Sequence, residues 1–147
     1  MKKDLVFMVV VDAKGLIAGR LASKVAKMII NGESINVINA EDAIVVGTKA
    51  AVMIKYQRRV LAAVKSNPHY GPKYSRIPDR IMRRMIRNML PTTKRAKERI
   101  IERLMVHNKV PKEFAKEKAV VFEEFRCNER HPFMTMKEIA QELGGTW

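Results

Sequence analysis

The sequence predicts an α/β fold, strands and helices following one another around a sheet, with a basic helical region after them. Three observations carry this. A β-branched run at 5–11 (LVFMVVV) is followed by a glycine turn and then by apolar residues at helical spacing. Two further short apolar runs, 35–38 and 43–46, precede a second helix-period segment. From residue 78 a third such segment carries cations on one side and apolar side chains on the other.

Taken in order, 5–11 reads as a strand buried on both faces, ending at Asp12. Gly15 and Gly19 bracket a turn, and a helix follows over 20–30 with Leu21, Val25, Met28 and Ile29 on one stripe, closing at Asn31-Gly32. Strands separated by a helix pair most readily in parallel through a right-handed crossover, which places the glycine turn at the carboxyl edge of the sheet. Strands at 35–38 and 43–46 come next, and Thr48 caps a helix that runs to about residue 64. Pro68, Gly71 and Pro72 then break a loop. Pro78 suits a first helical turn, and Asp79 sets a negative charge near the positive end of the helix dipole. In that helix Ile81, Met82, Met85, Ile86, Met89 and Leu90 share one half of the circumference, while Arg80, Arg83, Arg84 and Arg87 share the other. After Pro91 the pattern predicts a helix over 94–105, with Arg95, Arg99 and Arg103 along one ridge. A last strand at 119–122 and a short helix between Thr135 and Gly144-Gly145 complete the chain, read as one domain over 1–147.

The formal net charge is +14, and its placement is more informative than its size. Residues 48–112 hold 18 basic and 3 acidic side chains, a surplus of +15, against +1 for 1–47 (6 and 5) and −2 for 113–147 (5 and 7). One dense cationic region on a chain that is 47% hydrophobic is the footprint of a phosphate-backbone partner on a folded domain, not of a disordered polycation. A solvated helix ordinarily mixes signs, whereas the arginines at 80 and 84, and at 83 and 87, repel one another until a polyanion relieves them. The basic RNA-binding segment spans about 55–105. Its candidate residues, with Lys49 just ahead of it, are Lys55, Arg58, Arg59, Lys65, Lys73, Arg76, Arg80, Arg83, Arg84, Arg87, Lys94, Arg95, Lys97, Arg99 and Arg103, which would meet phosphates. His69, Tyr70 and Tyr74, interleaved with these cations, would stack on bases.

Other chemistries are poorly supplied. The turn DAKGLIAGR could cradle a phosphate, but it lacks the Gly-Lys-Ser/Thr ending of a Walker loop and the spacing of a dinucleotide fingerprint. Asp12, Glu41 and Asp42 near strand ends could in principle hold magnesium for nuclease work, yet no base accompanies them and turn carboxylates ordinarily satisfy local N–H groups. Cys127 is the single cysteine, so no internal disulfide forms, and with His107 and His131 it makes no zinc spacing. On these residues a nucleotide or metal site is the weaker reading. The early apolar run is too short to span a bilayer and lacks a cleavage site, so no signal peptide or transmembrane helix is indicated and a reducing cytoplasm fits; for the charge, nucleic acid leads and an anionic membrane surface trails. On the residues alone, a free RNA- or DNA-binding factor and a nucleotide-binding or magnesium-dependent enzyme remain alternatives.

Three segments decide further. DAKGLIAGRLASKVA (12–26), INVINAEDAIVVGTK (35–49) and IPDRIMRRMIRNMLPTTKRAKERIIERL (77–104), followed by Val110-Pro111, together resemble the family of the thirteenth large-subunit ribosomal protein. The tyrosine-rich loop and short carboxyl end look like its archaeal and eukaryotic branch. The resemblance implies a three-layer α/β/α domain around a small, largely parallel sheet with an appended basic helical region, without cofactor, metal, small-molecule substrate, enzymatic activity or membrane partner: a constituent of the large subunit that binds large-subunit ribosomal RNA, supports its assembly, and meets neighbouring large-subunit ribosomal proteins in the cytoplasm. Asn88 and Ala96 stand where the family usually has glycine, and Thr92 where it has histidine, so no contact is carried over for that side chain.

Overall fold

The computed structural model describes residues 8–147 apart from 63, 68, 92, 116, 128 and 129, and the backbone alone of 94–97. The fold is α/β. Strand β1 (Met8–Asp12) carries the second half of the first apolar run; Leu5, Val6 and Phe7 lie outside the described residues. Helix α1 (Ala18–Ile30) crosses over to strand β2 (Ser34–Ile38), which pairs with β1 in parallel from Met8 opposite Ser34 to Asp12 opposite Ile38. The helix starts two residues earlier than the sequence predicts, so Gly19 belongs to its first turn. Gly15 is then the turn glycine, held at a φ of 70°, which lies in the left-handed region that glycine enters without a Cβ clash.

Strand β3 (Ile44–Val46) leaves this sheet and leads into helix α2 (Lys49–Leu61), which Thr48 caps by accepting from the Ala51 N–H at 3.4 Å. The helix stops at Leu61, short of the expected end. Helix α3 (Pro78–Asn88) follows the loop, with proline in its first turn and the Asp79 N–H donating to Asn108 Oδ1 at 2.8 Å. Asn88 keeps helical geometry: among the described residues the sole non-glycine at positive φ is Asn39, so asparagine's tolerance of left-handed backbone is not called upon at 88.

Helix α4 (Lys94–Ile101) ends four residues before the sequence predicts, and Leu104–Val106 forms strand β4, parallel to β2. Ile100, Ile101 and Leu104 fit a helical period, but Leu104 becomes fully buried beside Ile35 while the strand takes up backbone groups that β2 would leave open. The sheet order is β1-β2-β4. The strand expected at 119–122 reduces to one bridge from Val120 to Val11; past it the chain bends into a 3₁₀ turn at Glu123–Phe125. Strand β5 (Phe133–Thr135), which the sequence reading left out, pairs antiparallel with β3. It leads into helix α5 (Met136–Glu142), closed by a capping box between Thr135 and Glu138.

One core joins these parts. Leu21, Val25 and Ile29 of α1 meet Met82 and Ile86 of α3 over Ile35, Val37 and Leu104 of the sheet. Burying each such side chain contributes about 1.5–3 kcal/mol relative to exposure. Helix α3 therefore has its orientation fixed by its apolar stripe, and its arginines can point nowhere but outward.

Candidate nucleic-acid interface

The amphipathic split of α3 is carried through in space: Ile81, Met82 and Ile86 are buried, and Arg80, Arg83, Arg84 and Arg87 are all exposed. Beside them α2 turns Val52, Met53 and Tyr56 inward and leaves Lys55 and Arg58 in solvent, with Arg59 half-buried. Between the two helices lies an open groove of about 1250 Å³. Its walls are Lys55, Tyr56, Arg59 and Val60 from α2, and Arg80, Arg83, Arg84 and Arg87 with Met85 from α3. Val45 and Val46 of β3 and Lys73, Tyr74 and Ser75 of the loop before α3 also line it. Among the described residues none of the lining side chains is acidic. Met89, expected within the apolar core, is instead 44% exposed and lines this groove together with Asn88, because α3 ends at Asn88 and the chain turns there.

Two cation–ring contacts organise the cationic wall. The Arg84 guanidinium carbon lies 3.7 Å from the centre of the Tyr74 ring, and Arg84 Nη1 donates to the Lys73 carbonyl at 2.8 Å. The Arg59 guanidinium stands 5.5 Å from the Tyr56 ring. Burial pushes the Tyr56 phenol above its ordinary range, with Arg59 pulling weakly the other way. Arg83 reaches the Ile101 carbonyl at 3.4 Å.

The remaining sequence-predicted residues lie around the groove. Lys65, His69, Tyr70 and Arg99 are exposed, Tyr70 at 70%. Arg76 is exposed, with its guanidinium close to Gly144 beyond the end of α5. Arg103 approaches Gly32 at the end of α1, so it belongs to the turn before β4 and not to a helical ridge with Arg99. Lys49 stands apart, bonded to Glu142 at 2.6 Å across α2 and α5, and this partner raises its pKa. The side chains of Lys94, Arg95 and Lys97 lie outside the described residues. What sequence reasoning missed is the pairing of Tyr74 with Arg84, ten positions apart, for which the sequence carries no signal. The inward placement of Tyr56 did have one, since Val52, Met53 and Tyr56 follow a helical stripe.

Asp12, Glu41 and Asp42 do not converge as a metal site. Asp12 accepts from the Lys14 N–H and the Asn39 side-chain amide, both at 2.9 Å, and Glu41 accepts from the Trp147 indole at 3.3 Å. Among the described residues no group of three or more histidines, cysteines or carboxylates could hold a metal ion, and no helix is long and apolar enough to cross a membrane.

The model of the ribosomal protein L13 family matches residues 7–113, from the start of the sheet past β4. The chain belongs to that family. It is similar to the large ribosomal subunit protein uL13 of Methanosphaera stadtmanae, with 38% identity over 136 residues covering 92% of this chain and 96% of that one. It is 34% identical to that of Methanococcoides burtonii over 139 residues (93% and 98%) and 36% identical to that of Methanosarcina barkeri over 140 (93% and 98%). Every candidate interface residue, from Lys49 to Arg103, falls inside the region that the L13 family model matches.

Proposed function

We propose that this protein is a structural constituent of the large ribosomal subunit, where the groove between α2 and α3 and its cationic walls hold large-subunit ribosomal RNA. It is a structural protein and not an enzyme. Membership of the L13 family supports the assignment, and the observation that carries the surface is the exposure of all four α3 arginines along a wall with no lining carboxylate. The segment of about 55–105 supplies the cations, and the sheet with α1 is the rigid mount that fixes them before RNA arrives. Phosphate contacts then position the protein, and shape counts for more than base sequence. The whole of 1–147 acts as one unit in this role, next to neighbouring large-subunit ribosomal proteins and during assembly of the RNA. Fractionation of cell extract on a sucrose gradient tests the assignment. The protein is expected to sediment with large subunits and to dissociate from them in high salt; recovery with free soluble protein alone would reject it.

A further inference from the structure

The groove wall contains one element that phosphate binding does not require. Any lysine can meet a phosphate, but the Arg84 guanidinium is held flat: its carbon is 3.7 Å from the Tyr74 ring centre and one nitrogen is bound to the Lys73 carbonyl. An edge-on guanidinium would stand its carbon further off, so the two planes lie face to face. One face of the cation is thus covered by tyrosine, and Arg84 is nevertheless exposed where it lines the groove. Its second face is a flat, cationic surface of fixed orientation, with Arg80 and Lys73 beside it.

We infer that the Tyr74–Arg84 pair is a platform for one unpaired base of the bound RNA, stacked on the outer face of Arg84 with its flanking phosphates against the neighbouring cations. This rests on the RNA-binding reading above and adds the kind of nucleotide the groove takes. Unpaired RNA bases stack on arginine planes as readily as on aromatic rings, and a paired helix cannot present such a face. Charge selects the same occupant, since the lining carries cations without acids. At about 1250 Å³ and open to solvent, the groove exceeds the ~300–1,000 Å³ usual for small-molecule pockets, which fits a stretch of polymer.

The test compares two RNAs at one fixed salt concentration: an oligoadenylate octamer, single-stranded, and an RNA duplex of eight base pairs. Arg84→Lys keeps the charge at an exposed position and removes the plane. It is expected to weaken octamer binding roughly tenfold while changing duplex binding less than about twofold. An equal loss on both RNAs, or none on either, would overturn the platform while leaving the cationic interface standing. Failure of the unaltered protein to bind either RNA would overturn both. A photocrosslinker placed at position 84 in assembled ribosomes is expected to capture RNA, and capture of a ribosomal protein instead would assign the groove to a protein partner and end the proposal.

Discussion

At Tyr56 the core and the cationic surface meet in one side chain: its ring is buried, and Arg59 lies over it at 5.5 Å. Because burial raises the phenol's pKa above the ordinary 10.0, the folded chain keeps a proton that the unfolded chain has released once the pH exceeds 10.0. Stability from this group is therefore complete below pH 10.0 and falls as the pH climbs toward the raised value. Lys49 adds to the same trend, since Glu142 raises its pKa and the ion pair is lost as the ammonium deprotonates. Tyr56→Phe is expected to lose less melting temperature than the unaltered protein between about pH 9 and about pH 11, as followed by circular dichroism. Equal losses would mean that the phenol does not couple to folding. A second residue-scale prediction concerns Gly145, where an added Cβ would lie 2.4 Å from the Arg76 carbonyl and 3.0 Å from that of Ala140. Both neighbours are backbone, so neither can swing aside. Gly145→Ala should destabilise by about 1–3 kcal/mol in urea melts, and a neutral result would show that the 76–77 backbone yields freely.

Helix α3 is the element on which stability and binding separate. Ile86 is fully buried between α1 and the sheet, so Ile86→Ala should cost about 2–5 kcal/mol through the cavity it leaves. Arg83→Ala with Arg87→Ala removes mutually repelling cations from the exposed side but also the long, exposed bond from Arg83 to the Ile101 carbonyl, so stability should stay within about 1 kcal/mol of the unaltered protein. Urea melts of the two variants would expose a misassigned face if the double arginine variant unfolded first. This helix was legible in sequence as far as Asn88 because its two patterns, apolar period and cation period, agree; its end was not, and Met89 falls outside it. Helices α1, α2 and α5 were legible in place from their apolar periods, with Gly32 after α1, the Thr48 cap of α2 and the Thr135 cap of α5, while the start of α1 and the end of α2 were shifted. Strand β4 was not: Ile100, Ile101 and Leu104 continue a helical period, and the pairing with Ile35 that overrides it lies about seventy positions away. Strand β5 has three residues, too few for a period of two to register, and exists through its pairing with the distant β3. The candidate site was legible as charge and not as shape. Sequence supplied the cations, but that α2 and α3 leave a groove, and that Arg84 lies on Tyr74, depends on packing that brings separate segments together.

Across the whole molecule the charge follows the architecture. Residues 1–47, with β1, α1 and β2, are nearly neutral and build most of the sheet; 48–112 carry the +15 surplus; 113–147, slightly acidic, brace α2 through Glu142 and tie the end of the chain to Glu41 through Trp147. Lys24 lies 5.7 Å from the Phe122 ring on the mount, so replacing Lys24 and Lys27 should leave the salt dependence of RNA binding unchanged. A loss as large as that from the α3 arginines would move the footprint onto α1. The central claim is that RNA binds the cationic face of α2 and α3, and the most direct measurement is RNA affinity as a function of salt. For the unaltered protein the logarithm of affinity should fall against that of salt by about 0.7–0.9 per phosphate neutralised, taking nucleic-acid strands in general. In the variant carrying both Arg83→Ala and Arg87→Ala the slope should be shallower by about one unit per lost contact, with the fold intact. An unchanged slope in that variant, or a flat response in the unaltered protein, would contradict the account.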